Sequence, residues 1–194
     1  LDELGGADFA STFFEGLYRL PPAHCLTVDA NGLNIRRYWA LQPQAELKLD
    51  SDEAYAAAFL EVFTQAVRSR LRSNGPVGSM LSGGMDSGSV VAVASRLLKA
   101  EGRGPLQTFS AVGPDPDACI ETRTIHQSLT LPDLQPHLVN YAELEPWADD
   151  LQRLVEEESE PFDGHMTLPR AAYLAAHRAG LRVVLDGVAG DVTL

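Results

Sequence analysis

The sequence predicts an α/β fold, a parallel sheet with helices on both faces. Three observations carry that prediction. Short apolar runs, at Val77–Leu81, Leu106–Val112 and Leu181–Leu185, alternate with segments whose apolar residues recur at helical spacing. The strongest breakers fall between these segments, at Asn74-Gly75-Pro76, Gly113-Pro114 and Gly180. No internal repeat or low-complexity stretch interrupts the alternation, which is the pattern of strands joined by crossover helices.

Taken in order, Ser11–Leu20 suits a short amphipathic helix or turn, stopped by Pro21-Pro22. His24–Val28 and Leu33–Trp39 flank Asn31-Gly32, which predicts a hairpin with a type I′ turn. Leu41–Leu49, with Pro43, reads as a linker. Asp50-Ser51-Asp52-Glu53 opens a helix, with carboxylates favourable in its first turn. Tyr55, Phe59, Val62, Phe63, Ala66, Val67 and Leu71 give that helix one core-facing stripe, and Arg68, Arg70 and Arg72 complement its C-terminal dipole.

A strand at Val77–Leu81 then runs through a glycine turn into a helix with Val90, Val91, Ala94, Leu97 and Leu98 on one face. Leu106–Val112 is the next strand, Glu121–Leu129 a helix, and Leu134–Tyr141 a weaker strand centred on His137–Asn140. Pro146 starts a helix bearing Trp147, Leu151, Leu154 and Val155, whose end at Glu156-Glu157-Glu158 is expected to be a solvated acidic face. Leu168–Ala179 is an alanine-rich helix ended by Gly180, and Leu181–Leu185 a buried strand.

Composition bounds the function. The 194 residues suffice for one core of ordinary size and a small piece of another domain. A net charge of −12 argues against nucleic acid or an anionic membrane as the main partner. It does not argue against ATP, whose phosphates can be met locally by N–H groups and a metal. No apolar run approaches membrane-spanning length and no signal-peptide pattern opens the chain. Cys25 and Cys119 fit no CxxC or zinc spacing, so a reduced, cytoplasmic setting is expected. The five histidines show no metal-ligand spacing. Because it opens at Leu1 and stops at Leu194 just after a loop, the chain is expected to be a fragment, incomplete at both ends.

The candidate site is the turn Leu81-Ser82-Gly83-Gly84-Met85-Asp86-Ser87. A strand feeding a helix through glycines presents unpaired N–H groups and the positive end of the helix dipole to an anion. Gly83 and Gly84 permit close backbone approach, and Ser82 and Ser87 add hydroxyls. Asp86 would repel phosphate unless a divalent cation stands between them, so the residues predict a Mg²⁺–polyphosphate site. The turn lacks the lysine of a Walker A loop. Asp186-Gly187-Val188-Ala189-Gly190-Asp191 follows the last strand in the same way. Were the two strands neighbours, Asp86 and Asp191 would face each other across the carboxyl edge and hold Mg²⁺.

SGGMDS resembles the PP-loop of the ATP pyrophosphatases, which cleave ATP between the α and β phosphates. FFEGLYRLPPAHCLTVDANGLNIRRYW is similar to the end of the amidotransferase domain of asparagine synthetases and the sequence entering their synthetase domain. TFSAVGPDPDACIETRTI and EPFDGHMTLP resemble further segments of that family, and DGVAGD its SGEGxDE segment. The resemblance implies an adenine nucleotide alpha hydrolase-like fold. It also implies the end of an amidotransferase domain with its linker over residues 1–44, and the N-terminal part of an ATP-binding synthetase domain over 45–194. ATP would be bound by Leu81, Ser82, Gly83, Gly84, Asp86, Ser87, Ala111 (near adenine), Asp186 and Gly187, with Asp86 and Asp191 as catalytic metal ligands.

The implied reaction is asparagine biosynthesis by an AMP-forming ligase using ATP, Mg²⁺, a small carboxylate (aspartate, or a peptide or amino-acid carboxylate) and ammonia or another amine. A homodimer is left open. The family's glutaminase cysteine lies at its extreme N-terminus, a place that Cys25 does not hold, and its catalytic lysine lies beyond the position of Leu194. Glutamine hydrolysis is therefore not expected of these residues, and the fragment alone is expected to be inactive. Val188 stands where the family has a glutamate and Val192 where it has a second acid. β-Lactam synthetases and lasso-peptide macrolactam synthetases keep the ATP site with other nucleophiles and suit the variant loop equally. A nucleotide-binding module without ligase activity is the remaining alternative.

Overall fold

The computed structural model describes residues 10–42, 44–157, 167–188 and 190, and these fall into two units divided between Leu49 and Asp50. The first unit carries a hairpin of β1 (His24–Asp29) and β2 (Gly32–Arg37), antiparallel from the His24–Arg37 pair to Asp29–Gly32. Asn31-Gly32 does not form the expected type I′ turn. Asn31 lies outside the positive-φ region and Gly32 sits at 118°, so Ala30 and Asn31 make the bend. The Asp29 carboxylate accepts the Asn31 N–H at 2.7 Å, a local bond that favours this bend over its mirror image. Ser11–Leu20 is a turn rather than a helix, closed by a bridge between Ser11 and Tyr18.

The second unit opens at α1 (Asp52–Arg70), capped by the Ser51 hydroxyl, which accepts the Ala54 N–H at 3.2 Å. β3 (Val77–Met80) leads into α2 (Met85–Ala100), then β4 (Leu106–Val112) and α3 (Ile120–Ser128). β5 (Leu134–Asn140) follows, then two short 3₁₀ turns, of which Glu145–Trp147 runs into α4 (Ala148–Glu156). Glu156 and Glu157 are exposed at the end of α4, while Glu158 lies outside the described residues. α5 (Thr167–Arg178) and β6 (Val183–Leu185) complete the unit.

All four strands of the second unit are parallel, in the order β5-β4-β3-β6. The sequence's α/β prediction therefore holds, and helices cover both faces of the sheet. On one face Val77, Leu106 and Leu185 pack with Val91, Ala94 and Leu98 of α2. On the other, Phe109 packs with Ala172 and Ala176 of α5 and with Leu181. Gly78 is required on that second face, since a Cβ there would lie 2.9 Å from the Phe109 ring.

One expectation fails. The apolar stripe of α1 is not core-facing along its length: Val67 and Leu71 are buried, whereas Phe59 is 59% and Val62 66% exposed. The C-terminal half of α1 reaches the core beside α2, where half-buried Phe63 packs against the cluster that holds Val67 and Leu71.

Candidate functional site

β3 and β6 are neighbours, pairing from Val77–Val183 to Ser79–Leu185, so the turns that follow them emerge side by side on the carboxyl edge. Ligands of open parallel sheets bind at that edge. The turn after β3 is anchored at Leu81, 1% exposed, whose N–H donates to Phe109 O at 3.0 Å and whose carbonyl accepts the Ser110 hydroxyl at 2.6 Å. Ser82, exposed, donates its N–H to the Ser87 hydroxyl oxygen at 3.1 Å, and the two hydroxyls lie 3.0 Å apart. The turn is thereby pinned to the first turn of α2.

Gly83 adopts φ 81°, and a Cβ there would collide with Thr124 Oγ1 of α3, so the left-handed geometry and the packing both require glycine. Gly84 is the N-cap of α2, and no side chain caps that end. Asp86 is half-buried in the first turn and Ser87 is buried. An uncapped helix start preceded by a glycine turn is chemically suited to an anion.

The second turn packs on the same helix start. A Cβ at Gly187 would fall 2.6 Å from Ser87 N and 2.8 Å from the Asp86 carbonyl carbon, and one at Gly190 would overlap the Asp86 carboxylate. Asp186, the residue after β6, accepts the Tyr173 hydroxyl at 2.9 Å and the Val188 N–H at 3.2 Å. Burial, then this bond, push the Tyr173 phenol up to about 12. Val188 is 72% exposed. Asp191 and Val192 lie outside the described residues, and among the described residues no cluster of three or more His, Cys, Asp or Glu could hold a metal.

Two cavities flank the turn. One of about 310 Å³ lies among Leu81, Ser82, Ala111, Glu121, Ile125 and Ala172, so half-buried Ala111 borders the same space as the turn. The other, about 610 Å³, is a groove running from Asp86 and Asp186 past Val188 to Phe59 and Phe63 of α1. Sequence reasoning missed Tyr173, Thr124 and Gly190. A glycine pair flanking Val188-Ala189 was the one available signal, since tight backbone approach is a glycine property.

These features define a parallel α/β domain of the nucleotide-hydrolase-like type, with two strand-to-turn junctions meeting at one helix N-terminus. The chain belongs to the asparagine synthase family, whose model matches residues 58–193. It is 40% identical over 97 residues to asparagine synthetase [glutamine-hydrolyzing] 3 of Bacillus subtilis, across 50% of this chain and 16% of that protein. It is 26% identical over 193 residues to the amidase chyE of Penicillium rubens, across 93% of this chain and 29% of that protein. It is also 37% identical over 84 residues to an asparagine synthetase of Zea mays, across 43% of this chain and 14% of that protein. The chain thus spans under a third of the length of the curated relatives it matches.

Proposed function

We propose that these residues carry the ATP site of an amide-forming ligase that works through an acyl-adenylate, asparagine synthase-like in its chemistry. The observation that carries the proposal is the uncapped N-terminus of α2 behind Ser82-Gly83-Gly84, with the Asp86 carboxylate in its first turn. Residues 1–44 would close an amidotransferase domain and 45–194 would open the ATP-binding domain. The observed division between Leu49 and Asp50 lies close to that boundary.

In this reading the N–H groups at the start of α2 and the Ser82 hydroxyl hold the β- and γ-phosphates, and Leu81, Gly83, Gly84, Ser87 and Gly187 shape the floor. Adenine occupies the cavity beside Ala111. A substrate carboxylate, such as aspartate, attacks the α-phosphorus; pyrophosphate leaves, and ammonia or another amine then displaces AMP. Preorganised N–H dipoles stabilise the departing pyrophosphate without reorganising during the step. Mg²⁺, which neutralises charge on polyphosphate oxygens, fits a site with one or two carboxylates completed by the phosphates themselves. Asp86 would hold it, with Asp191 as its proposed partner.

Val188 favours a second reading of the later half-reaction. An exposed valine stands where asparagine synthetases carry a glutamate, so an amine other than ammonia is the better fit for the nucleophile. The full-length protein is expected to release pyrophosphate from ATP when given its carboxylate substrate; formation of ADP and phosphate would refute the ligase class. Titration calorimetry should show Mg²⁺-dependent ATP binding that Asp86→Ala abolishes. Unchanged affinity in that variant would overturn the site itself. ATP binding without any pyrophosphate exchange would leave a nucleotide-binding module instead.

A further inference from the structure

The resemblance puts Asp186 on the nucleotide, but both oxygens of its carboxylate are engaged inside the protein. Oδ2 accepts the Tyr173 hydroxyl of α5, and Oδ1 accepts the Val188 N–H two residues ahead. The first bond ties the end of β6 to a helix thirteen residues away; the second sets the course of the chain leaving the strand. On the side of α2 that course has no slack. Gly187 already meets the backbone of Asp86 and Ser87, with no room for one added carbon, and Gly190 is seated against the Asp86 carboxylate. A displacement of Gly187 or Gly190 towards α2 must therefore move the start of that helix, the Asp86 side chain, or both.

We propose that Tyr173 and Asp186 form a positioning pair that fixes the chain after β6 against the first turn of α2 and so sets the orientation of the Asp86 carboxylate. Tyr173 does this from α5, through its hydrogen bond to Asp186. The pair is defined by geometry alone, and only its effect on nucleotide binding rests on the ATP reading above. Acting through a second side chain is how oriented carboxylates are generally held, since a site group is only as well placed as the groups that lock it.

The test uses Tyr173→Phe, which keeps the ring and removes the donor, with Asp186→Asn as the second variant should the first fail to fold. Hydrogen exchange at the Val188 amide is expected to accelerate about fivefold, the size of a typical net hydrogen bond, with the core strands unaffected. The carboxyl ¹³C resonance of Asp86 is expected to shift in both variants, a change that mere loss of stability would not cause. In the Tyr173→Phe/Asp186→Asn double variant the shift should be smaller than the sum of the two single shifts, because Tyr173 acts only through its bond to Asp186.

An unchanged Val188 exchange rate together with an unmoved Asp86 resonance would overturn the proposal, as would additive shifts in the double variant. Calorimetry with Mg²⁺ and ATP is the separate arm, in which weakened metal-dependent binding by Tyr173→Phe extends the pair to function. Should the native protein bind no ATP, the nucleotide reading falls while the exchange and resonance measurements still decide the pair.

Discussion

Gly190 is seated so closely on Asp86 that a Cβ on the glycine would overlap the carboxylate oxygens. These residues are more than a hundred positions apart in sequence and meet because β6 lies beside β3 in the parallel sheet. The order β5-β4-β3-β6 thus does chemical work, since it delivers a second strand-to-turn junction to the helix N-terminus that the first junction created.

Gly187→Ala should be costly although Gly187 has no left-handed φ. Its added carbon would meet backbone, at 2.6 Å from Ser87 N, and backbone cannot swing aside as a long side chain can. Urea unfolding should show a loss of about 1–3 kcal/mol, the range for overpacked positions. A cost below the error of extrapolation would mean that the chain after β6 is not pressed on α2.

The two glycines of the first turn should behave differently. Gly83→Ala combines a disallowed φ of 81° with a collision at Thr124, and is expected to cost at least about 1–2 kcal/mol. Gly84→Ala meets its nearest atom, Ser82 Oγ, at an ordinary 3.5 Å, and loses only N-cap preference, about 0.5–1 kcal/mol. Equal costs in denaturant titrations would contradict the described turn.

The turn itself was legible from Val77 to Val91 because everything it needs is local: a strand, two glycines, a helix start. The strand order was legible only as a condition, since which strands pair depends on the whole sheet. Tyr173 was illegible because no local pattern ties it to Asp186; α5 and β6 bring them together by packing. The α1 stripe misled for a related reason. Helical periodicity records which face is apolar, not how far it is covered: Val67 and Leu71 are buried and Phe63 packs half-buried on the core, while Phe59 and Val62 stay exposed.

That uneven burial gives a comparison within one helix and its C-cap. Leu71→Ala, at 2% exposed, is expected to cost about 2–5 kcal/mol. Phe59→Ser, at 59% exposed, is expected to stay within about 0.5 kcal/mol, as surface substitutions usually do. Thermal unfolding of both variants checks this, and a large loss at Phe59 would show that the N-terminal half of α1 is covered in solution.

Tyr173 supplies a test in pH. Its phenol is raised from 10 to about 12, first by burial and then by the hydrogen bond to Asp186 and the charge of that carboxylate. The folded state therefore holds the proton more tightly than the unfolded state, so the contribution to stability is whole below pH 10 and is lost as pH rises towards 12. Spectrophotometric titration of phenolate formation should contain a component near 12 that disappears in Tyr173→Phe. Asp186→Asn removes the carboxylate's charge and alters the hydrogen bond but leaves the burial, which is the largest cause. The component should accordingly move down only part of the way, and a full return to the ordinary tyrosine value would show that Asp186, not burial, dominates the shift.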